Sequence, residues 1–502
     1  MSDYYGVLID TTSIQQYVFS GNRLKENLGA SFLVQDIYNA ILKDVTIKPD
    51  LEGFIGGGNA LLFFEDKIRA KEFVKEWTRN LLIETPGLTT AIAISNETID
   101  ESDLNNPEKF QLFKKSIFKQ LTENKNSYFP QVTLSSHGIT ADCKNTGLTM
   151  EDWYEDKADN DDSGYYSSVS TSKQRTVFNS GIKLNEIFAN VKENKFEFTN
   201  ELEKLGRSEN QDSHISIVHI DGNGMGNRFE ECKTLKEIQD LSESLEKATV
   251  DSFKDLLRHI IDNIEEIKID LDLLKNIIPI RPIILGGDDI TFVCDGRLGI
   301  YFAKIFLEAF EKKQVSDGEP ITACAGVAIT KLKYPFYRGY KLSEELCASA
   351  KLKRKDNGKS GSWIDFHIAY GGISAELKEI REKFYKVPQG NLLLRPYNIS
   401  DNNEVHSFNK FVENTKFLCR KFPKSKIKDL REILNLGKEI TDSFANEMRS
   451  RGLILPVIQN FNFQDSLFQE IKSKNIITPY FDMLELSEIY PTFELESKGA
   501  SK

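Results

Sequence analysis

Apolar runs and helically spaced apolar positions alternate through the first hundred residues. YYGVLID (Tyr4–Asp10) is an apolar run that closes on an acid. From Gly29, in GASFLVQDIYNAILKDV, apolar residues recur at helical spacing. GFIGGGNALLFFED (Gly53–Asp66) sets two apolar runs on either side of a glycine cluster, which predicts a tight hairpin. IRAKEFVKEWTRNLLI then reads as a helix and LTTAIAIS as a strand. The predicted order is β-α-β-β-α-β, the split ferredoxin-like unit.

The same order recurs from about residue 214. HISIVHID (His214–Asp221) is a strand ending in an acid, followed by one long amphipathic helix in LKEIQDLSESLEKATVDSFKDLLRHIIDNIEEI. RPIILGGDDITFVCDG (Arg281–Gly296) reads as strand, glycine turn, strand. LGIYFAKIFLEAFEKKQ is a helix, ITACAGVAIT the closing strand, and YKLSEELCASAKLKRK one more helix. Aligning the hairpins sets Ile55-Gly56-Gly57-Gly58-Asn59 against Leu285-Gly286-Gly287-Asp288-Asp289. The first copy keeps a strand-end acid, Asp10, but has Gly and Asn where the second has two carboxylates.

These patterns predict an α+β protein with two tandem ferredoxin-like domains, at residues 1–100 and 211–373. A helical connector region, 101–210, lies between them, and a C-terminal α-helical domain, 374–502, follows. Within the connector, EDWYEDKADNDD (Glu151–Asp162) has seven acids and one lysine and reads as a solvated loop.

Charge narrows the function classes. The net charge of −11 argues against a wide, sequence-independent nucleic-acid surface, though not against a local basic pocket. No apolar run approaches the roughly 20 residues that span a bilayer. The N-terminus lacks a signal-peptide pattern, so a cytoplasmic protein with no membrane association is expected. The six cysteines are scattered with no CxxC pair, which disfavours a zinc ribbon or a disulfide scaffold.

The candidate chemistry sits in the second copy. In this fold the end of the first strand neighbours the central hairpin, so Asp221 should approach Asp288 and Asp289. Carboxylates brought together repel unless a cation sits between them. Oxygen ligands select a hard ion, Mg²⁺ or Mn²⁺. Such ions can align a 3′-hydroxyl with an α-phosphate. Gly286 and Gly287 have no side chain to keep a nucleotide from the backbone. Gly and Asp are also ordinary turn residues; the acid closing the preceding strand is what favours a catalytic reading. HIDGNGMGNRF (His219–Phe229) offers a second glycine turn, at Gly222, whose backbone is either a phosphate cradle or a plain loop. AKLKRKDNGK (Ala350–Lys359) holds five basic residues and one acid. It is either a solvated helix end or a lid in which Lys351 contacts the β/γ-phosphates, with Lys353, Arg354 and Lys355 less favoured. His219, within a strand, reads as a core or edge residue.

At these residues the chain resembles the large Palm-domain subunit of type III CRISPR effector complexes, the polymerase/cyclase-like subunit. DTTSIQQYVFSGNRLKENLGASFLV (Asp10–Val34) is similar to the opening of that family's first Palm, including Ser13, Ile14, Gln15, Phe19 and a Gly29-Ala30-Ser31 turn. IGGGNALLFF resembles its degenerate hairpin, and HIDGNGMG with LGGDDITFVCDG resembles the active second Palm. AKLKRK and SWIDFHIAYGG resemble the segment that follows. The resemblance implies Mg²⁺-dependent joining of ATP into cyclic oligoadenylates, second messengers of antiviral defence, with loss of pyrophosphate. It implies Asp221, Asp288 and Asp289 as catalytic metal ligands. It implies Gly222, Gly286, Gly287, Lys351 and Ser13 as nucleotide-binding, and a first Palm that binds without catalysing. It also implies guide or target RNA and other effector subunits as partners. Two features depart from the family. No His-Asp dipeptide is present, so no His-Asp nuclease activity is expected, and HGITADCKNTG around Cys143 has one cysteine where a zinc cluster would be, so no zinc is expected.

Three function classes follow. The first is a nucleotidyltransferase making cyclic oligoadenylates, a cyclic dinucleotide or another adenylated messenger. The second is an RNA-contacting sensor subunit of an effector complex. The third is a mononucleotide cyclase working as a homodimer, which two unequal units in one chain disfavour.

Overall fold

The computed structural model describes residues 2–127, 138–156, 163–192, 195–205, 214–271, 276–370, 375–400, 405–458, 466–471 and 475–495. The first unit runs β1 (Asp3–Thr12), α1 (Ile14–Val18), α2 (Leu24–Asp44), β2 (Leu51–Gly56), β3 (Asn59–Phe64), α3 (Lys67–Glu84) and β4 (Thr89–Ile94). Its antiparallel strands lie in the order β2-β3-β1-β4, the ferredoxin-like order. Alternation along β1 serves two cores at once. Val7 and Ile9 face α2 and α3, packing with Leu28, Ile37, Phe73 and Trp77. Leu8 faces the other way, into the cluster of Phe113 and Ile117. Those two residues belong to α4 (Pro107–Ser127), which follows a short β5 (Ile99–Asp100) paired to β1. The sheet is therefore covered on both faces. Gly6 permits this, because a Cβ there would lie 2.7 Å from the Phe113 ring.

The second unit begins beyond a hairpin, β6 (Asp152–Tyr154) and β7 (Gly164–Tyr166), and helices α5 (Ser168–Arg175) and α6 (Val177–Lys192). It runs β8 (His214–Gly222), α7 (Met225–Glu231), α8 (Leu235–Asp262), α9 (Ile264–Leu271), β9 (Ile280–Gly286), β10 (Asp289–Asp295), α10 (Gly299–Phe310), β11 (Ala323–Lys331), α11 (Phe336–Asp356) and β12 (Trp363–Ile368). The path β9-β10-β8-β11 repeats the first sheet's order, and β12 extends it in parallel beside β11. Phe253 of α8 and Phe306 of α10 pack on one face of this sheet. On the other face α11 lies so close that a Cβ on Gly326 would fall 2.0 Å from the Ser343 carbonyl. In both units the helix after the closing strand thus covers the second face.

Three sequence expectations change. The Gly29-Ala30-Ser31 turn is interior to α2, which starts at Leu24. Gly29 is needed there for helix contact, since a Cβ would sit 1.8 Å from the Lys173 carbonyl of α5. The one long helix from Leu235 is two, α8 and α9, because Asn263 caps the first with its N–H and side-chain amide on the His259 carbonyl. Part of the acidic segment, Asp152–Tyr154, is a strand, where Trp153 and Tyr165 pack edge to face; residues 157–162 of it lie outside the described residues. So do His137 of the Cys143 segment and Gly371 and Gly372 of SWIDFHIAYGG.

The C-terminal region holds α12 (Leu377–Phe384), α13 (Phe408–Lys421), α14 (Lys424–Leu434), α15 (Lys438–Ser450) and α16 (Tyr480–Ile489), with a small four-stranded sheet. It is tied to the second sheet by Arg395. This fully buried guanidinium stacks on Phe366 of β12, with its carbon centre 4.2 Å from the ring centroid, and pairs with Asp482 and Glu485 of α16. No described helix is long and apolar enough to cross a membrane.

Candidate active site

Asp221 is the last residue but one of β8, and the antiparallel register sets it directly opposite Asp289 on β10. The β9–β10 turn is two residues, Gly287-Asp288. Gly287 has φ +57° and Asp288 does not have positive φ, the sign pattern of a II′ turn. The Gly222 N–H donates to the Asp288 carbonyl at 3.0 Å. A Cβ on Gly222 would lie 2.6 Å from the Asp288 Cβ, so glycine is required where the strand end passes under the turn. The hairpin expectation holds in this geometry, and the strand register brings Asp221 beside Asp289.

The electrostatics fit a cation site. Burial, then repulsion from Asp221, pushes the Asp288 carboxyl up to about 6. Burial and Asp221 push Asp289 to about 7, against a lowering hydrogen bond from Gln15. One Asp289 oxygen, Oδ1, is buried with no hydrogen-bond partner, although 31% of the side chain stays exposed. His219 Nδ1 lies 3.4 Å from that oxygen and 3.3 Å from the Thr291 hydroxyl. Burial holds this imidazole below its usual range, which keeps it neutral. A buried, unpaired carboxylate oxygen beside two other acids is a hard-cation ligand set. Among the described residues, however, no three acids, cysteines or histidines close on one point as a ready-made metal cage. That suits Mg²⁺, which is commonly held by one or two carboxylates together with substrate phosphates.

Lys351, on α11, places its ammonium 2.5 Å from Asp221 Oδ2 and 3.3 Å from the Gly222 carbonyl. Burial alone would lower it; Asp221 reverses that and raises it above the usual lysine value. Arg354 donates to the Gly361 carbonyl and Thr322 hydroxyl. Gly222 leads into a glycine turn closed by Gly224 at φ +75°, with Asn223 fixed to Thr322 through backbone and side chain. Ser13 is exposed, at φ 54°, and its side chain makes no cap hydrogen bond. Two residues on, Gln15 Nε2 donates to Asp289 Oδ2 at 3.2 Å across 274 positions of sequence. Sequence reasoning quoted Gln15 without giving it a role, because no local spacing ties it to Asp289.

The two glycine hairpins face one cleft of about 320 Å³. Gly56–Gly58 line one side, and Gly286, Gly287 and Asp289 the other. The halves brace each other reciprocally: Gln35 of α2 donates to the Leu285 carbonyl, and Gln239 of α8 to the Gly53 carbonyl.

The fold of this unit agrees with what the chain is similar to. Residues 214–359 match the family model of the second palm domain of Cas10/Cmr2. The solved structures that the chain resembles include a Csm1–Csm4 cassette in complex with one ATP, at TM-score 0.55 and 13% identity over 97% of this chain and 70% of that one. The apo Csm1–Csm4 cassette matches at TM-score 0.54 and 14% identity, and Csm1 of T. onnurineus at 0.53 and 13%, each over 97% of this chain and 70% of the other. At these identities the structural likeness establishes the fold. No curated protein sequence matches the chain. The region that resembles Cas10/Cmr2 palm 2 is thus the unit that carries Asp221, Asp288 and Asp289.

Proposed function

We propose that the protein is a nucleotidyltransferase that joins ATP into cyclic oligoadenylate-type messengers and releases pyrophosphate. The observation that carries this reading is the pairing of Asp221 with Asp289 on adjacent strands beneath a glycine turn, opposite a second glycine hairpin across a shared cleft. Solved relatives in fold are described with one ATP and with cA3, which supports the same ligand class here.

In this reading Asp221, Asp288 and Asp289 would hold Mg²⁺ or Mn²⁺ together with the triphosphate, and the ion would supply neutralisation of the charge on the attacking and leaving oxygens. A 3′-hydroxyl of one nucleotide attacks the α-phosphorus of the next. The new P–O bond forms as the bond to the β-phosphate oxygen breaks, pyrophosphate leaves, and the hydroxyl proton passes to solvent. Gly286 and Gly287 let the nucleotide lie against the backbone. The Gly222–Gly224 turn offers N–H groups to phosphate. Lys351 exchanges its bond to Asp221 for the β/γ-phosphates once the carboxylate is engaged. The first palm, with Gly58 and Asn59 in place of acids, holds the acceptor nucleotide, and Ser13 flanks it. Assembly with effector subunits and RNA belongs to the same proposal, since the cassettes similar in fold pair Csm1 with Csm4.

The test is pyrophosphate release and product mass from purified protein with each NTP and Mg²⁺ or Mn²⁺, with and without candidate activating RNA. ATP-dependent cyclic product is expected. No pyrophosphate under any of these conditions removes the assignment and leaves the reading as a nucleotide-sensing subunit.

A further inference from the structure

The cleft between the hairpins does not end at the carboxylates. It follows β9 along its length, from Gly287 back to Arg281. Arg281 is 1% exposed, and its Nε and Nη2 have no hydrogen-bond partner. Among the described residues no carboxylate forms an ion pair with it; its cationic carbon lies 5.8 Å from the centroid of the Phe198 ring. Burial without a counter-charge lowers this guanidinium to about 9. Buried charges in proteins are ordinarily paired, because the desolvation cost is otherwise uncompensated. Lys183 of α6 lines the same cleft, above the face of Phe32, and no described acid pairs with it. Arg281 lies five positions before Gly286 on the strand, about 17 Å at the usual rise per residue.

We propose that Arg281 and Lys183 form an anion subsite at the inner end of this cleft, which takes a phosphate group of a bound oligonucleotide beyond the nucleotide at the carboxylates. The missing counter-charge of Arg281 is then supplied by the ligand. A guanidinium offers two parallel donors to a phosphate, which a lysine alone does not. The subsite stands on the cleft and the unpaired guanidinium; that its phosphate belongs to a nucleotide chain rests on the function proposed above. It makes β9 a ruler, with the reacting end at the Gly287–Asp289 turn and the anion at the strand's start.

The experiment measures binding in EDTA, where no turnover occurs, to the full chain, to Arg281→Met and to Lys183→Glu. The probes are inorganic phosphate, ATP, and a diadenylate with and without a 5′-phosphate. The expected result is that wild type binds the 5′-phosphorylated diadenylate about tenfold or more tightly than the unphosphorylated one. That preference is lost in Arg281→Met and reduced in Lys183→Glu. Arg281→Met without ligand should melt no lower than wild type, because an unpaired buried charge is removed. Equal binding of the two diadenylates to wild type overturns the subsite. So does a preference that survives both substitutions. Protection by inorganic phosphate or ATP with no gain for the phosphorylated diadenylate assigns the anion site to a free anion or single nucleotide and overturns the oligonucleotide assignment. Should Arg281→Met fail to fold, Lys183→Glu on the cleft wall carries the comparison. An Asp288→Ala/Asp289→Ala protein, inactive in the proposed reaction, should keep the 5′-phosphate preference, which separates this inference from the catalytic one.

Discussion

The two palm-like units keep the same frame and differ in what the hairpin carries. Each first strand carries, near its end, an aspartate whose carboxylate takes a lysine from the helix after the closing strand: Asp10 with Lys125 at 2.5 Å, and Asp221 with Lys351 at 2.5 Å. Each aspartate faces the equivalent hairpin position, Asn59 in one unit and Asp289 in the other. The next residue's N–H reaches the same turn carbonyl, from Thr11 to Gly58 and from Gly222 to Asp288. The turns themselves diverge. Gly57 and Gly58 both have positive φ, a I′ pattern, whereas in the second turn that holds for Gly287 and not for Asp288. A side chain at 58 would also meet the Ile14 side chain at 2.5 Å. The first hairpin has therefore lost more than two carboxylates; its backbone no longer presents a side chain there without strain.

The largest expected effect that tests this contrast is at the second hairpin. Asp288→Ala with Asp289→Ala should lower product formation by on the order of 10³-fold or more, the scale of lost transition-state charge stabilisation, with the circular dichroism spectrum unchanged. Full turnover would erase the distinction between the units. Lys351→Met should raise KM for ATP by roughly tenfold, one charge-assisted phosphate contact, and Lys125→Met should leave KM as it is. If both lysines act alike, the units are not functionally divided. Gln15→Ala should raise the Mg²⁺ concentration needed for half-maximal activity several-fold, with restoration of kcat at saturating Mg²⁺. A merely structural Gln15 would lower kcat at every Mg²⁺ level instead.

Stability gives smaller effects. Gly58→Asp should cost about 1–2 kcal/mol in urea unfolding, the penalty of a left-handed backbone for a side chain, and should create no second active site. The pH dependence follows from Asp288 and Asp289, whose folded values of about 6 and 7 lie above the ordinary 3.8. Between those limits the folded protein binds more protons than the unfolded chain, so metal-free stability should fall as pH rises from about 4 to 7. Asp289→Asn should flatten that slope, and Mg²⁺ should stabilise wild type at neutral pH more than the variant.

Periodicity sufficed for the four strands that make the ferredoxin-like order in each unit, because each is an apolar run bounded by glycine, acid or turn residues; β5 and β12, which extend the two sheets, are not among the predicted strands. The Asp221–Asp289 approach was legible for the same reason: strand order in a ferredoxin-like unit fixes which ends are neighbours. What stayed hidden depends on tertiary approach. Gly29 looks like a turn until α5 is seen pressing on it. Gln15 reaches Asp289 from the other half of the chain. Arg281 reads as an ordinary residue at the start of a strand, and its lack of a partner is visible only when its surroundings are known. Lys351 was expected at phosphates; its ammonium stands on Asp221, a contact across 130 positions that no local spacing announces.

The crossed props at Leu285 and Gly53 carry one more consequence. Neither hairpin is fully supported by its own half, so the tandem arrangement behaves as a dimer whose subunits cannot part. Cleaving the backbone between the halves would then give fragments that reassemble on mixing, while each alone would leave the outer strand of its hairpin without this cross-brace.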